Sequence, residues 1–421
     1  MDEQSLWARP LSSAELIPLG IVLARLLAPR HARRQFGGLD GLFRDDTGAL
    51  CLGPVNPHGS ALEDVRAVGR LLLEAPLRQL PGGPRVLTDE QLLSHISLVC
   101  PDFPPDLAAV LSDAIAPALK HRPSNATALW LQLVRAEASH TVRASAPAAE
   151  HTRWSLGHDT HIGLYKSRLG QTNQDHLFYQ SAGAVSLLLV ADGISVSTAG
   201  SGNLASALLV QVIASLWERE KEALQTASGS QIQSFIREAL AVANNTICSG
   251  TLRLTEGSLG QHIPMGTTAV LAVLAGNDVH LATLGDSRAY LICDSGVGLL
   301  TGDQNLRGEW LRSWQTDAPI ALQSEGHALV GYAGHFDIYG EPAPIPAVLR
   351  TVRMLPGESL LLCSDGLNDY AADSHASLAR LIEAAVSESG PDAAARVLVG
   401  CANSGGGGDN ITVLVATCGA G

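Results

Sequence analysis

Three aspartates stand where short apolar runs end or begin. Asp192 follows SLLLVA and precedes Gly193, while Asp365 follows SLLLCS and precedes Gly366. Asp409 follows the run Gly405–Gly408 and precedes Asn410 and ITVLVA. A carboxylate at a strand end is short, held on a rigid element and aimed where several strands terminate. Oxygen donors gathered in this way make a site for Mg²⁺ or Mn²⁺. No Cys/His set with metal-ligand spacing accompanies them, which weighs against zinc. Taken singly, an Asp-Gly after a strand is more often a turn, and a glycine-rich Asp-Asn reads equally as a loop bend. Three such positions, each beside an apolar run, weaken that reading without removing it.

Composition bounds what such a site could serve. The 421 residues are 46% hydrophobic and only 16% charged, which excludes a disordered chain and makes two domains the default. Acidic residues outnumber basic ones, 41 to 28, for a net charge of −13, so nucleic acid is not expected as a partner. Phosphate can still be met through divalent cations. Seven cysteines, at 51, 100, 248, 293, 363, 401 and 418, form no CxxC pair and read as free thiols in a reducing compartment. The opening MDEQSLWARP lacks the apolar core of a signal peptide, and runs such as Val185–Ala191 are of strand length. A cytoplasmic protein without a membrane segment is therefore expected.

The elements that must position the aspartates lie in the second part of the chain. Ser186–Val190, Thr268–Leu274, Val279–Thr283, Ala289–Ile292, Ser359–Leu362 and Ile411–Ala416 are short and apolar, and most are bounded by Gly, Asp or Asn, as strands are. Helical patterns separate them at Gly202–Leu216, Ile232–Asn245 and Ala376–Ser387. Runs of strands and then of helices imply an α+β fold rather than alternating βαβ units. Before this part, residues 139–152 are small, polar and aperiodic, and read as a linker. Residues 1–138 read as mainly helical, with Glu15–Leu27, Leu62–Leu73, Asp106–Leu119 and Asn125–Val134 as helices and a small hairpin at Leu42–Leu52. The domains are then 1–138 and 153–421.

Six short motifs occur in order in the second domain: NQD (173–175), ADG (191–193), GTTA (266–269), GDSRAY (285–290), CSDGLND (363–369) and GGDNIT (407–412). The series resembles the metal-dependent serine/threonine protein phosphatases of the type 2C class, over roughly residues 155–417. The resemblance implies two packed antiparallel β-sheets flanked by helices, with a two-metal centre of Mn²⁺ or Mg²⁺ at one end. It implies that Asp192 bridges the ions, that the Gly193 carbonyl binds one, and that Asp365 and Asp409 complete the shell of the other. Asp175 is then an acid of the first or second shell, and Asp286 corresponds to a holder of a further ion in some relatives. A turn held by pairing of Asp286 with Arg288 is an equal alternative. A water activated by both ions would attack phosphorus in line, so no serine or cysteine nucleophile is implied.

The departures from the family pattern concern the grip on phosphate. Gln174 stands where a glutamate is usual, and Leu169 and Gly170 stand where relatives place a phosphate-binding arginine. Lys166 and Arg168 are the nearby substitutes, although a solvated strand face explains both equally well. Ile194-Ser195 follows Gly193 in place of the usual His or Met, and Gln304 replaces a histidine in LTGDQN. His280 and His327 read as ordinary surface or core residues. Trp310 and Trp314 fall in the region resembling the family's substrate-contacting flap, with simple packing the favoured reading.

The N-terminal part is similar, more faintly, to the C-terminal lobe of a protein kinase. LEDVRAVGRLLLEAPL (62–77) and HRPSNATALWLQL (121–133) carry this likeness, with FGGLDGLFRDDTGALCLG (36–53) as a worn catalytic loop. Gly38 takes the place of the catalytic aspartate and no nucleotide-binding lobe precedes it, so a kinase remnant without activity is implied, with an unrelated helical interaction domain as the alternative. The expected function is metal-dependent removal of phosphate from phosphoserine and phosphothreonine of proteins, opposite a serine/threonine kinase. The alternative is a pseudophosphatase that binds phosphoproteins or acts as a scaffold.

Overall fold

The computed structural model describes residues 11–39, 42–47, 49–77, 87–148, 152–313 and 325–419. Among these, five α-helices come first: α1 (Ser13–Ala32), α2 (Ala61–Glu74), α3 (Asp89–Val99), α4 (Pro105–Ala114) and α5 (Ala126–Ser145). The expected hairpin is present as β1 (Phe43–Arg44) paired with β2 (Leu50–Cys51). Side chains start most of these helices. Ser60 accepts from the Glu63 amide, Asn125 from the Ala128 amide, and Thr88 and Gln91 close a reciprocal capping box on α3. Leu16, Leu23, Leu27, Val68, Leu72, Leu107 and Leu133 bury a common core beneath them.

Two expectations about this part change. The helix expected over Asp106–Leu119 stops at Ala114, with only a 3₁₀ turn at Leu119–His121. Pro117 has no amide to donate and disfavours helical backbone at Ala116. The expected linker 139–152 is helical as far as Ser145. Its composition concealed a tertiary anchor: Arg143, 6% exposed, donates to both Asp106 and Glu358.

The second part begins with β3 (Trp154–His161), a short α6 (Leu164–Arg168), β4 (Asp175–Ala182) and β5 (Val185–Asp192). The long helices α7 (Gly202–Leu224) and α8 (Gly229–Leu254) follow, then β6 (Ala269–Ala275), β7 (Asp278–Leu284), β8 (Arg288–Cys293) and β9 (Gly296–Leu299). Next are α9 (Leu306–Ser313), β10 (Val348–Arg353) and β11 (Ser359–Cys363). The helices α10 (Asp365–Tyr370), α11 (His375–Glu388) and α12 (Pro391–Ser404) lead to the last strand, β12 (Ile411–Cys418). The strands form two five-stranded antiparallel sheets, ordered β10-β7-β6-β5-β4 and β3-β12-β11-β8-β9.

Four layers explain the strand sequences. Leu188 and Val190 of β5 face Leu360, Leu362 and Leu414 across the sandwich, while Leu187, Leu189 and Ala191 on the opposite face pack under α7 and α8. The second sheet is covered likewise, with Leu361, Val413 and Val415 beneath α11 and α12. A central strand buried on both faces has no reason to alternate, hence the unbroken SLLLVA and SLLLC. β3 and β4, at the sheet edges, mix polar and apolar residues and were not legible as strands.

The helical part is joined firmly to the sandwich. Ser94 and His375 are hydrogen-bonded at 2.8 Å, and His95 and Asn305 at 2.9 Å. Trp310 and Leu311 of α9 lie within the helical core, so the packing reading of Trp310 holds and the exposed-surface reading does not. Trp314 lies outside the described residues. Among the described residues no helix is long and apolar enough to cross a membrane.

Candidate metal centre

The antiparallel order of the sheets brings the ends of several strands to one end of the sandwich. Asp192 closes β5, Asp175 opens β4, and the two are register partners. Asp365 stands two residues after β11, Asp409 two before β12, and Asp286 two before β8. Cys363 pairs with both Arg288 and Val413, so these last three aspartates belong to neighbouring strands at the same end. Residues as distant in sequence as 175 and 409 are thus collected by sheet topology.

Backbone and side-chain hydrogen bonds fix the positions. Thr268 Oγ1 accepts from the Asp192 amide at 3.0 Å, and the Asp192 carbonyl accepts from the Thr268 amide and the Thr267 hydroxyl, each at 2.8 Å. The threonines of GTTA therefore hold the turn at Asp192. The Ser364 hydroxyl donates to Asp175 Oδ2 at 2.7 Å and accepts from the Thr412 amide at 3.0 Å. Asn410 Oδ1 accepts from the Gln174 amide at 3.0 Å, tying the NQD and GGDNIT motifs together. Gly193 sits against the start of α7: a Cβ there would lie 2.2 Å from the Gly202 backbone, so only glycine fits.

Electrostatics mark the cluster as strained. Burial, then the charges of Asp175, Asp365, Asp409 and Asp286, raises the Asp192 carboxyl well above its usual range. Asp365 is raised in the same direction by burial, then by Asp286, Asp409 and Asp369. Burial raises Asp175 to about 6 and, with Asp303, raises Asp286 to about 7. Asp175 Oδ1 and Asp365 Oδ1 are buried and without a hydrogen-bond partner. Among the described residues no three His, Cys, Asp or Glu side chains close into a preformed cage. The carboxylates act on one another without converging on a point. Buried carboxylate oxygens that lack donors and repel each other fit a hard divalent cation.

The remaining site residues divide. Lys166 reaches the cluster, its Nζ donating to Asp409 Oδ1 and lying 3.5 Å from Asn410 Oδ1. Arg168 is exposed, and among the described residues no hydrogen bond or ion pair joins it to the site. The Arg288 guanidinium holds Asp303 through Nε at 2.9 Å and Nη2 at 2.7 Å, and its charge also acts on Asp286, against the rise caused by burial and Asp303. Gln174 Oε1 accepts from the Ser195 hydroxyl at 2.5 Å. Gln304, in the family's histidine position, accepts from the Gly285 amide at 3.0 Å and donates to the Pro346 carbonyl at 2.6 Å. It serves as a buried strut under the GDSRAY turn. His280 is a buried partner of Thr351. Ser364 and Thr412, which hold Asp175, were not identified in the sequence, although both flank motif aspartates.

A protein-family model described as Protein phosphatase 2C matches residues 162–400, more than half of the chain. The chain belongs to the protein phosphatase 2C family. The serine/threonine phosphatase stp of Listeria welshimeri is 30% identical over 229 residues, which span 54% of this chain and 83% of that protein. The serine/threonine protein phosphatase PstP of Mycobacterium tuberculosis is 29% identical over 244 residues, 58% of this chain and 42% of the relative. The solved structure of the S. agalactiae serine/threonine phosphatase superposes with a TM-score of 0.51 at 25% identity, covering 63% of this chain and 99% of that one. The chain is accordingly a phosphatase of the serine/threonine protein class, and its α+β sandwich is the fold of that family.

Proposed function

We propose that this phosphatase hydrolyses phosphoserine and phosphothreonine esters of proteins with two Mn²⁺ or Mg²⁺ ions held at the strand-end aspartates. Asp192, the Gly193 carbonyl, Asp365 and Asp409 would hold the ions. Asp175 would stand beside them, and Asp286 would hold a further ion. The observation that carries this assignment is the pair of buried, unpartnered carboxylate oxygens, on Asp175 and Asp365, within one set of mutually repelling acids. When bound, such ions supply an acidified water at neutral pH and positive charge opposite the phosphoryl oxygens.

The residues of the chain do the positioning. Thr267 and Thr268 keep Asp192 and Gly193 in place, and Ser364 orients Asp175. Lys166 is the cation proposed to meet the substrate phosphate in place of the family's arginine, as a point charge rather than a bidentate fork. Purified protein with manganese should release phosphate from a phosphothreonine peptide, and Asp192→Ala should abolish the release. Robust activity surviving that substitution would sink the assignment.

The same proposal includes a cytoplasmic role opposite a serine/threonine kinase, motivated by the kinase-lobe likeness of residues 62–77 and 121–133. Cells lacking the protein should accumulate phosphothreonine on a defined set of cytoplasmic proteins. An unchanged phosphoproteome would count against it.

A further inference from the structure

Beside the carboxylate cluster lies a cavity of about 400 Å³, and the helical part of the chain forms one of its walls. On one side are Asp286, Asp365 and Asp369, and on the other are Glu90 and Gln91 from the first turn of α3. This wall is fixed in place. The Glu90 carboxylate accepts from the His375 amide at 3.2 Å, Ser94 bonds His375, and His95 bonds Asn305. Trp310 and Leu311 anchor α9 in the helical core and brace the same rim. Two buried polar atoms lining the cavity, Asp365 Oδ1 and Asn368 Nδ2, have no partner in the protein.

The charge of this space is specific. The Arg288 guanidinium is committed to Asp303. With Asp286 and Asp365 assigned to cations, Glu90 and Asp369 remain, facing one guanidinium, Arg307, and the imidazole of His327. The rim adjoins Asp286 and Asp365, so it lies next to a phosphate held at the aspartates, and a cationic side chain is the one its acids would favour. We propose that α3 is a wall of the substrate cleft and that Glu90 there selects phosphoprotein segments with a lysine or arginine beside the phosphorylated residue. The role assigned to the helical part is therefore substrate selection at the catalytic end, and it rests on the hydrolase reading above.

The test uses the full chain with Mn²⁺, p-nitrophenyl phosphate and three phosphothreonine peptides that differ only in arginine, alanine or glutamate at the flanking positions. Each peptide kcat/KM is divided by that for p-nitrophenyl phosphate on the same variant, so general losses cancel. The parent should favour the arginine peptide over the alanine peptide by about fivefold, the worth of one partly exposed ion pair. Glu90→Gln, which keeps an acceptor for the His375 amide, should erase that preference, and Glu90→Lys should turn it toward the glutamate peptide. Equal use of the three peptides, or a preference untouched by both substitutions, overturns the inference. Failure of the parent to hydrolyse even p-nitrophenyl phosphate would instead overturn the hydrolase reading.

Discussion

Replacing Asp175 with asparagine separates a carboxylate kept for a cation from one kept for stability. Asp175 is 5% exposed, lies opposite Asp192 in the β4–β5 pair and has one oxygen without a partner. Burial raises its pKa from 3.8 to about 6, while the Ser364 hydroxyl acts in the opposite direction. A carboxyl whose folded pKa lies above its unfolded one costs stability when ionised. That cost is absent below about pH 4, grows through the interval between the two values and is complete above about pH 6. A rise of about two units corresponds to roughly 3 kcal/mol, of which about half is relieved by pH 5. Asparagine is nearly isosteric, keeps an acceptor for Ser364 and offers its amide to Asp192.

In EDTA at pH 7, Asp175→Asn should therefore be more stable than the parent by about 2–3 kcal/mol, with the gap narrowing as pH falls towards 4. Manganese should close the gap. The parent gains about 2.7 kcal/mol at a hundredfold excess over Kd, and the variant should gain little. Urea denaturation followed by circular dichroism, in EDTA and in MnCl₂ from pH 5 to 8, measures both effects. A variant less stable than the parent in EDTA at pH 7, or one with an undiminished manganese gain, refutes the reasoning.

Arg143→Met should cost about 3–5 kcal/mol in urea denaturation, because it leaves the buried acids Asp106 and Glu358 without their cation; a loss under 1 kcal/mol would contradict the structure. Gly193→Ala should abolish manganese-dependent turnover, since its Cβ would lie 2.2 Å from the Gly202 backbone; retained activity would mean that the α7 turn yields freely. Lys166→Met should lower kcat/KM for p-nitrophenyl phosphate by about ten- to a hundredfold, the range for one charge-assisted hydrogen bond. Unchanged kinetics at saturating manganese would leave Lys166 as a partner of Asp409 and no more.

The sequence by itself was sufficient for the strand-end aspartates. Asp192, Asp365 and Asp409 each adjoin a run made conspicuous by burial on both faces of a sheet, and the six motifs kept their chain order. Asp175 was legible only through its motif, because β4 is an edge strand whose pattern is mixed. The helix α3 was missed even though the reciprocal Thr88–Gln91 cap is a local signal that could have located it. Other features depend on pairings that local patterns do not encode. Lys166 meets Asp409 across 243 positions, Arg143 meets Glu358 across 215, and Ser94 meets His375 across 281. A charged residue in a polar stretch is ordinary until another segment arrives to bury it, as Arg143 shows in the stretch that had the look of a linker. Which aspartates stand at strand ends was thus set by local composition and burial. Which cation reaches Asp409, and which helix lines the cavity beside Asp365, were decided by how the two sheets and the helical part close on one another.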